Sequence, residues 1–152
     1  MMIDPYRFGG APAIPGTAER WQLTGLTVGG SVFEISELHL YEGVSIAAGA
    51  TLSSPYTGDS GTTVSALYDE NTSTRIIFNL VKIAEPDFAI EFEFASAKAI
   101  DGIRFAGFDT DNRHSSTYTV KYWDGAAWVL SGTVSGLTYP GNFTYSSVAS
   151  IV

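Results

Sequence analysis

The chain contains no cysteine, which excludes disulfides, thiolate zinc sites, iron–sulfur clusters and thiol catalysis. It has only 2 histidines, too few for a three-histidine metal centre. Charge is also scarce. Asp, Glu, Lys and Arg make up 16% of residues, and 8 basic against 16 acidic residues leave a formal charge of −8. That sign argues against a nucleic-acid partner, because gripping a phosphate backbone takes a basic surface. The longest apolar stretch, Val44 to Ala50, is far below the ~20 residues of a membrane-spanning helix, so no membrane insertion is expected. The opening Met1-Met2-Ile3-Asp4-Pro5-Tyr6-Arg7 lacks the basic start and apolar run of a signal peptide. A soluble protein is expected.

What is present is material for a core. Hydrophobic residues make up 45% of the 152, and aromatic residues 13%, which excludes a disordered chain. The length suits one domain that buries roughly 70% of its unfolded surface.

Residues 1–19 stand apart. Pro5, Pro12 and Pro15 with Gly9, Gly10 and Gly16 interrupt any period, since proline fixes φ and removes a donor. An extended N-terminal arm is expected, with Tyr6, Phe8 and Ile14 as contacts to a neighbouring subunit, or failing that to its own domain. Residues 20–152 read as the folded domain.

From Trp21 onward the hydrophobic period is two. Phe88, Ile90, Phe92 and Phe94 alternate with Ala89, Glu91 and Glu93, and Tyr118, Val120 and Tyr122 with Thr117, Thr119 and Lys121. Each is the pattern of a strand with one buried face. Shorter runs are Trp21/Leu23, Leu38/Leu40, Ile76/Phe78/Leu80, Ile103/Phe105 and Trp128/Leu130. Turn residues separate them, and Asp124-Gly125 should close a tight hairpin. Over residues 32–40 the apolar phase slips from odd (Phe33, Ile35) to even (Leu38, Leu40), which predicts a bulge or a corner. No segment carries a helical stripe. The fold class is all-β, an antiparallel β-sandwich. Trp21, Trp128 and the Phe88–Phe94 face are expected in the core. Trp123 points opposite to Tyr122, to the second face or to a partner, where an exposed Trp would anchor an interface.

Tyr122-Trp123-Asp124-Gly125-Ala126-Ala127-Trp128 resembles the aromatic strand, D-G turn and Trp of discoidin-like domains (factor V/VIII C-type, galactose-binding-like). Ala66-Leu67-Tyr68-Asp69-Glu70-Asn71-Thr72-Ser73-Thr74 is similar to that family's A-x-D-G-N-x-x-T loop. Glu70 stands where the family usually has Gly, and no Trp follows Thr74. Arg20 to Leu23 with Ile35 to Tyr41 resembles the strand pair that normally ends such domains. Here it comes first, so the order looks circularly permuted, as in modules of bacteriophage tail and other virion proteins. The resemblance covers about residues 20–130. It implies a jelly roll with ligand loops at one end and a structural calcium. By position, the metal residues would be Glu37 and Asp69 as charged ligands, with Asn71 and Thr74 giving side-chain or carbonyl oxygens. Calcium takes six to eight oxygens, which suits such a loop; the same residue types also favour plain turns.

Asp109-Thr110-Asp111-Asn112-Arg113-His114-Ser115 begins like an EF-hand but fails it, with His114 at the required Gly and Val120 at the closing Glu. In sugar-binding relatives the loop before the D-G hairpin supplies Arg, His and Asn. The resemblance therefore implies ligand binding by Asn112, Arg113 and His114, with Tyr56 or Tyr68 as a stacking surface. An ordinary solvated loop, or one contacting another subunit, is the alternative. Gly58-Asp59-Ser60-Gly61 copies a serine-protease nucleophile segment, but the only upstream histidine, His39, sits within a strand pattern. It reads as a turn.

The expectation is a non-catalytic virion structural protein (phage tail, baseplate or capsid-associated), docking through its arm and sandwich. It would be made in the host cytoplasm and located in the virion. Its partners would be other virion subunits, as a homo-oligomer or part of a larger assembly. The alternative is a carbohydrate-binding module that recognises surface glycans. No enzyme is expected.

Overall fold

A computed structural model describes residues 16–108 and 111–152. Tyr6, Phe8, Ile14, Asp109 and Thr110 lie outside the described residues. The described chain forms two antiparallel five-stranded sheets packed as a sandwich, with one short helix. In chain order the strands are β1 (Ala18–Thr24), β2 (Val32–Glu42), β3 (Ser45–Ile46), β4 (Thr51–Ser53) and β5 (Ile76–Asn79). After the helix α1 (Leu80–Ile83) come β6 (Ile90–Lys98), β7 (Gly102–Gly107), β8 (Tyr118–Trp123), β9 (Trp128–Val134) and β10 (Ala149–Ser150).

The first sheet has the order β4-β6-β1-β8-β9. Its centre is β1, which begins two residues inside the expected arm. Ala18 is buried, and its carbonyl accepts the Trp21 indole N–H at 3.0 Å. The alternation expected of β1, β6 and β8 is present: Trp21, Leu23, Ile90, Phe92, Phe94, Tyr118 and Val120 all point inward and are buried. Each such side chain contributes roughly 1.5–3 kcal/mol by leaving water. Ala89, placed on the solvent side by its phase, is buried as well; it lies just before the first strand residue, Ile90.

The second sheet runs β10-β7-β2-β3, with β5 also paired to β2. The phase slip in β2 is a bulge. Pairing with β7 shifts register between Ile35↔Gly107 and Glu37↔Ala106, leaving Ser36 extra. The Ser36 hydroxyl lies 3.2 Å from the carbonyls of both Ala106 and Gly107, so the irregular backbone keeps a polar partner. Phe33 and Ile35 before the bulge, and Leu38 and Leu40 after it, therefore all reach the core.

Two expectations need correction. Leu80 does not continue the Ile76/Phe78 strand. Asn79 caps a helical turn, its side chain accepting the Lys82 N–H at 3.0 Å, and Leu80 is left 39% exposed. Trp128 is half-buried rather than core. It pairs with Trp123 across the hairpin, and directly paired residues share a sheet face. The hairpin itself forms, with Asp124 Oδ1 accepting the N–H groups of Ala126 and Ala127 at 2.8 Å each and Gly125 at φ +102°.

The outer faces of the two sheets differ. On β2 of the second sheet, Glu34, Ser36, Glu37 and His39 face away from the core yet are buried. The His39 ring is flanked by Tyr68 at 5.0 Å and Tyr145 at 5.5 Å. Residues 142–151 run along β7, with Phe143 N–H to Gly107 O at 2.7 Å and Ser146 N–H to Phe105 O at 2.8 Å. On the first sheet, Arg20, Gln22, Glu91, Lys121, Trp123 and Trp128 of the outer face are half-buried, and the segment from Ile83 to Phe88 borders Gln22 and Lys121.

Candidate functional site

The polar residues singled out by sequence gather mainly on the outer face of the second sheet. The 69–74 loop is closed by its own side chains. Asp69 Oδ1 accepts the Asn71 N–H at 2.9 Å, and Asn71 Oδ1 accepts the Ser73 N–H at 3.0 Å. Thr74 Oγ1 lies 2.8 Å from Asp69 Oδ2. Glu70 has φ +59°, the left-handed conformation that glycine adopts most readily. From β2, the fully buried Glu37 joins the loop: Oε1 accepts the Asn71 N–H at 2.8 Å, and Oε2 lies 2.7 Å from His39 Nε2.

Glu37, Asp69, Asn71 and Thr74 are thus brought together. Their oxygens are the chemistry a hard cation takes, but in this arrangement those of Glu37, Asp69 and Asn71 accept N–H and O–H groups and the Thr74 hydroxyl donates. A cation here would have to displace the Asn71 and Thr74 donors. Among the described residues, no three Asp, Glu or His side chains gather as a metal-holding group. As arranged, this donor set does not form a calcium cage.

Beside it lies a second node. The fully buried Glu34 carboxylate accepts Arg75 Nη1 on Oε1 at 2.5 Å and Arg113 Nη1 on Oε2. Isolated, that carboxylate would be costly to bury; two guanidinium partners offset the cost. They also pin two loops to β2. Arg75 further sits 4.6 Å over the Phe108 ring, whose neighbour Phe143 meets it edge-on at 5.3 Å. Phe143 is 51% exposed and has φ +55°, an unusual conformation for a bulky residue.

The expected ligand residues divide. Asn112 is exposed, whereas Arg113 is engaged by Glu34. His114 lies flat on Phe105 at 5.4 Å with Nε2 3.2 Å from Leu137 O. Asn112 and His114 line a groove of about 390 Å³ with Thr27, Gly29, Leu137 and Tyr139. Tyr56 lines a different one with Ser54, Thr57 and Val64. Its hydroxyl donates to Asp87 at 2.6 Å, and that bond pushes its phenol up to about 12. The Tyr68 hydroxyl donates to Ala47 O, and burial pushes it up to about 12. Neither tyrosine stands beside Asn112. The Gly58–Gly61 segment is a turn: Asp59 accepts Lys82 Nζ at 2.6 Å and the Asn79 N–H at 2.7 Å.

Trp123 lies on the outer face of the first sheet, its ring 5.5 Å from Trp128. The Arg20 guanidinium sits over both, 5.4 Å from Trp123 and 5.2 Å from Trp128, and pairs with Glu91 at 3.2 Å. Sequence reasoning missed Arg20 and Trp128 here, and Arg75, Phe108 and Phe143 on the other sheet. The hairpin held a signal for Trp128, because strands joined at Asp124 to Ala127 must pair Trp123 with it. Nothing local marked the others.

Comparison with known protein families, curated proteins and solved structures yields no match.

Proposed function

We propose that this chain is a non-catalytic structural protein of a virion, a discoidin-like jelly-roll module that acts by packing against other subunits. The observation that carries the reading is the Trp123–Arg20–Trp128 cluster on the outer face of the first sheet. Trp and Arg on an accessible face are the residues that dominate protein interfaces. The resemblance of the 122–128 hairpin and the 66–74 loop to modules of phage tails supports the virion assignment. Tyr6, Phe8 and Ile14 supply a second contact in this reading. The test is mass spectrometry of gradient-purified particles from cells carrying the gene. Co-sedimentation at fixed stoichiometry supports the proposal; particles without the chain overturn it.

A second reading is glycan recognition. The half-exposed Phe143, set edge-on to a Phe108 ring that Arg75 covers, offers an apolar ring beside a charged donor, the mix of apolar surface and few polar groups that binding sites use. A glycan screen of the purified chain, with calcium and with chelator, tests it. Binding abolished by Phe143→Ala supports this reading, and no binding in either condition ends it.

A further inference from the structure

We infer that the outer face of the first sheet pairs with the same face of a second copy of this chain, about a two-fold axis lying along β1. The inference rests on the packing reading above and names the partner of that surface.

The face reads from the register. One row across the strands is Ser53, Glu91, Gln22, Lys121 and Leu130, from β4 through β6, β1 and β8 to β9. The next holds Thr51, Glu93 and Arg20 with the Trp123–Trp128 pair. The β8–β9 half is aromatic and basic, with Trp123, Trp128, Lys121 and the 61%-exposed Leu130. The β6–β4 half is acidic and hydroxylic.

A chain of charge −8 repels its own copy over most of its surface. The two central rows of this face do not, because Arg20 and Lys121 balance Glu91 and Glu93, while Glu85 and Asp87 border the face in a groove with Gln22 and Lys121. In face-to-face packing, an axis along β1 lays β8 of one copy over β6 of the other and β9 over β4. Lys121 then faces Glu91, Trp123 faces Glu93, and Trp128 with Leu130 covers Thr51 and Ser53, each contact made twice as a two-fold requires. Arg20, whose charge Glu91 already offsets, meets its own copy at the centre. An axis across the strands would stack Lys121 on Lys121 and Glu91 on Glu91, so charge selects the first. Area sets the strength. Four strands at ~4.8 Å spacing and about six residues at ~3.3 Å rise, with the three-residue β4 at the edge, give a footprint of roughly 430 Å² per copy, the size of a weak, concentration-dependent interface.

The experiment is sedimentation velocity of the full chain at low salt across the micromolar range, on wild type and on variants checked for native circular dichroism. The wild type is expected to reach twice 16.2 kDa. Lys121→Glu and Glu91→Lys should each weaken the dimer about tenfold or more, and the double variant should restore it, which unfolding cannot do. Trp123→Ala should leave a monomer. A wild type monomeric throughout, or a dimer indifferent to both charge reversals, overturns the inference. So does a dimer abolished by deleting residues 1–15 and unaffected by Trp123→Ala, which would make the arm the contact. A monomer that is still incorporated into particles would remove this pairing and leave the structural role standing.

Discussion

The Oε1 atom of Glu37 accepts the backbone N–H of Asn71 at 2.8 Å, so a surface loop is anchored to a carboxylate with no exposure of its own. Its other oxygen belongs to His39 at 2.7 Å. Leaving a buried hydrogen-bonding group without its partner costs about 1–3 kcal/mol. Glu37→Ala should therefore lower the urea-unfolding free energy by that order, with Glu37→Gln milder because it still meets both partners. Since hydrogen bonds already close the loop, the wild-type melting temperature should be the same in calcium and in chelator. A rise of several degrees with calcium would show that the Asn71 and Thr74 donors yield to a cation.

Glu70→Gly should stabilise the protein. An L-residue in the left-handed region costs roughly 1–2 kcal/mol, and Gly loses roughly 0.5–1 kcal/mol in backbone entropy. A net gain of up to about 1.5 kcal/mol is expected as a higher urea midpoint. A lower midpoint would mean that the Glu70 side chain contributes more than its backbone costs.

Asp59 gives a pH dependence of defined sign. The Lys82 ammonium, with the Asn79 N–H, holds its carboxyl below the usual aspartate range. A depressed folded value stabilises above the unfolded value of about 3.9, and that contribution is lost as pH falls through the folded one. Asp59→Asn should therefore melt below wild type at neutral pH, and the gap should close in acid. A gap that persists at pH well below both values would assign the effect to packing instead.

Phe143→Gly separates strain from recognition. With φ +55° and half its side chain in solvent, Phe143 loses little by truncation and gains a compatible backbone. Thermal stability should hold or rise, while any glycan binding should fall. Retained binding would place the sugar elsewhere; lost stability would show that its contact with Phe108 holds the loop.

The sandwich was legible wherever a period of two met water on one side. The bulge at Ser36 was readable because Phe33/Ile35 and Leu38/Leu40 cannot share a face without it. What stayed hidden depends on distant chain. Glu34 and Glu37 look like solvent positions until Arg75, Arg113 and the 69–74 loop close over them, and no local pattern encodes that. Asp69, Asn71 and Thr74 of the loop and Glu37 of β2 were singled out through resemblance, and hydrogen bonds join them. Arg113 and His114 were chosen for chemistry that suits a ligand. The same chemistry suits Glu34 and Phe105, and only tertiary placement decides between them. Leu80 failed for a local reason, since Asn79 is a stronger helix cap than one more apolar residue is a strand signal.

The central position of β1 has a consequence for biosynthesis. Its two neighbours, β6 and β8, are about 70 and 100 residues further along the chain. On the ribosome, Trp21 and Leu23 emerge long before either flank exists, and both hydrogen-bonding edges of the strand wait with them. Closure over such separations is slow, and unpaired edges recruit other chains. The interval between emergence of β1 and completion of β8 is thus when the nascent chain is most exposed to aggregation, and when a chaperone would act.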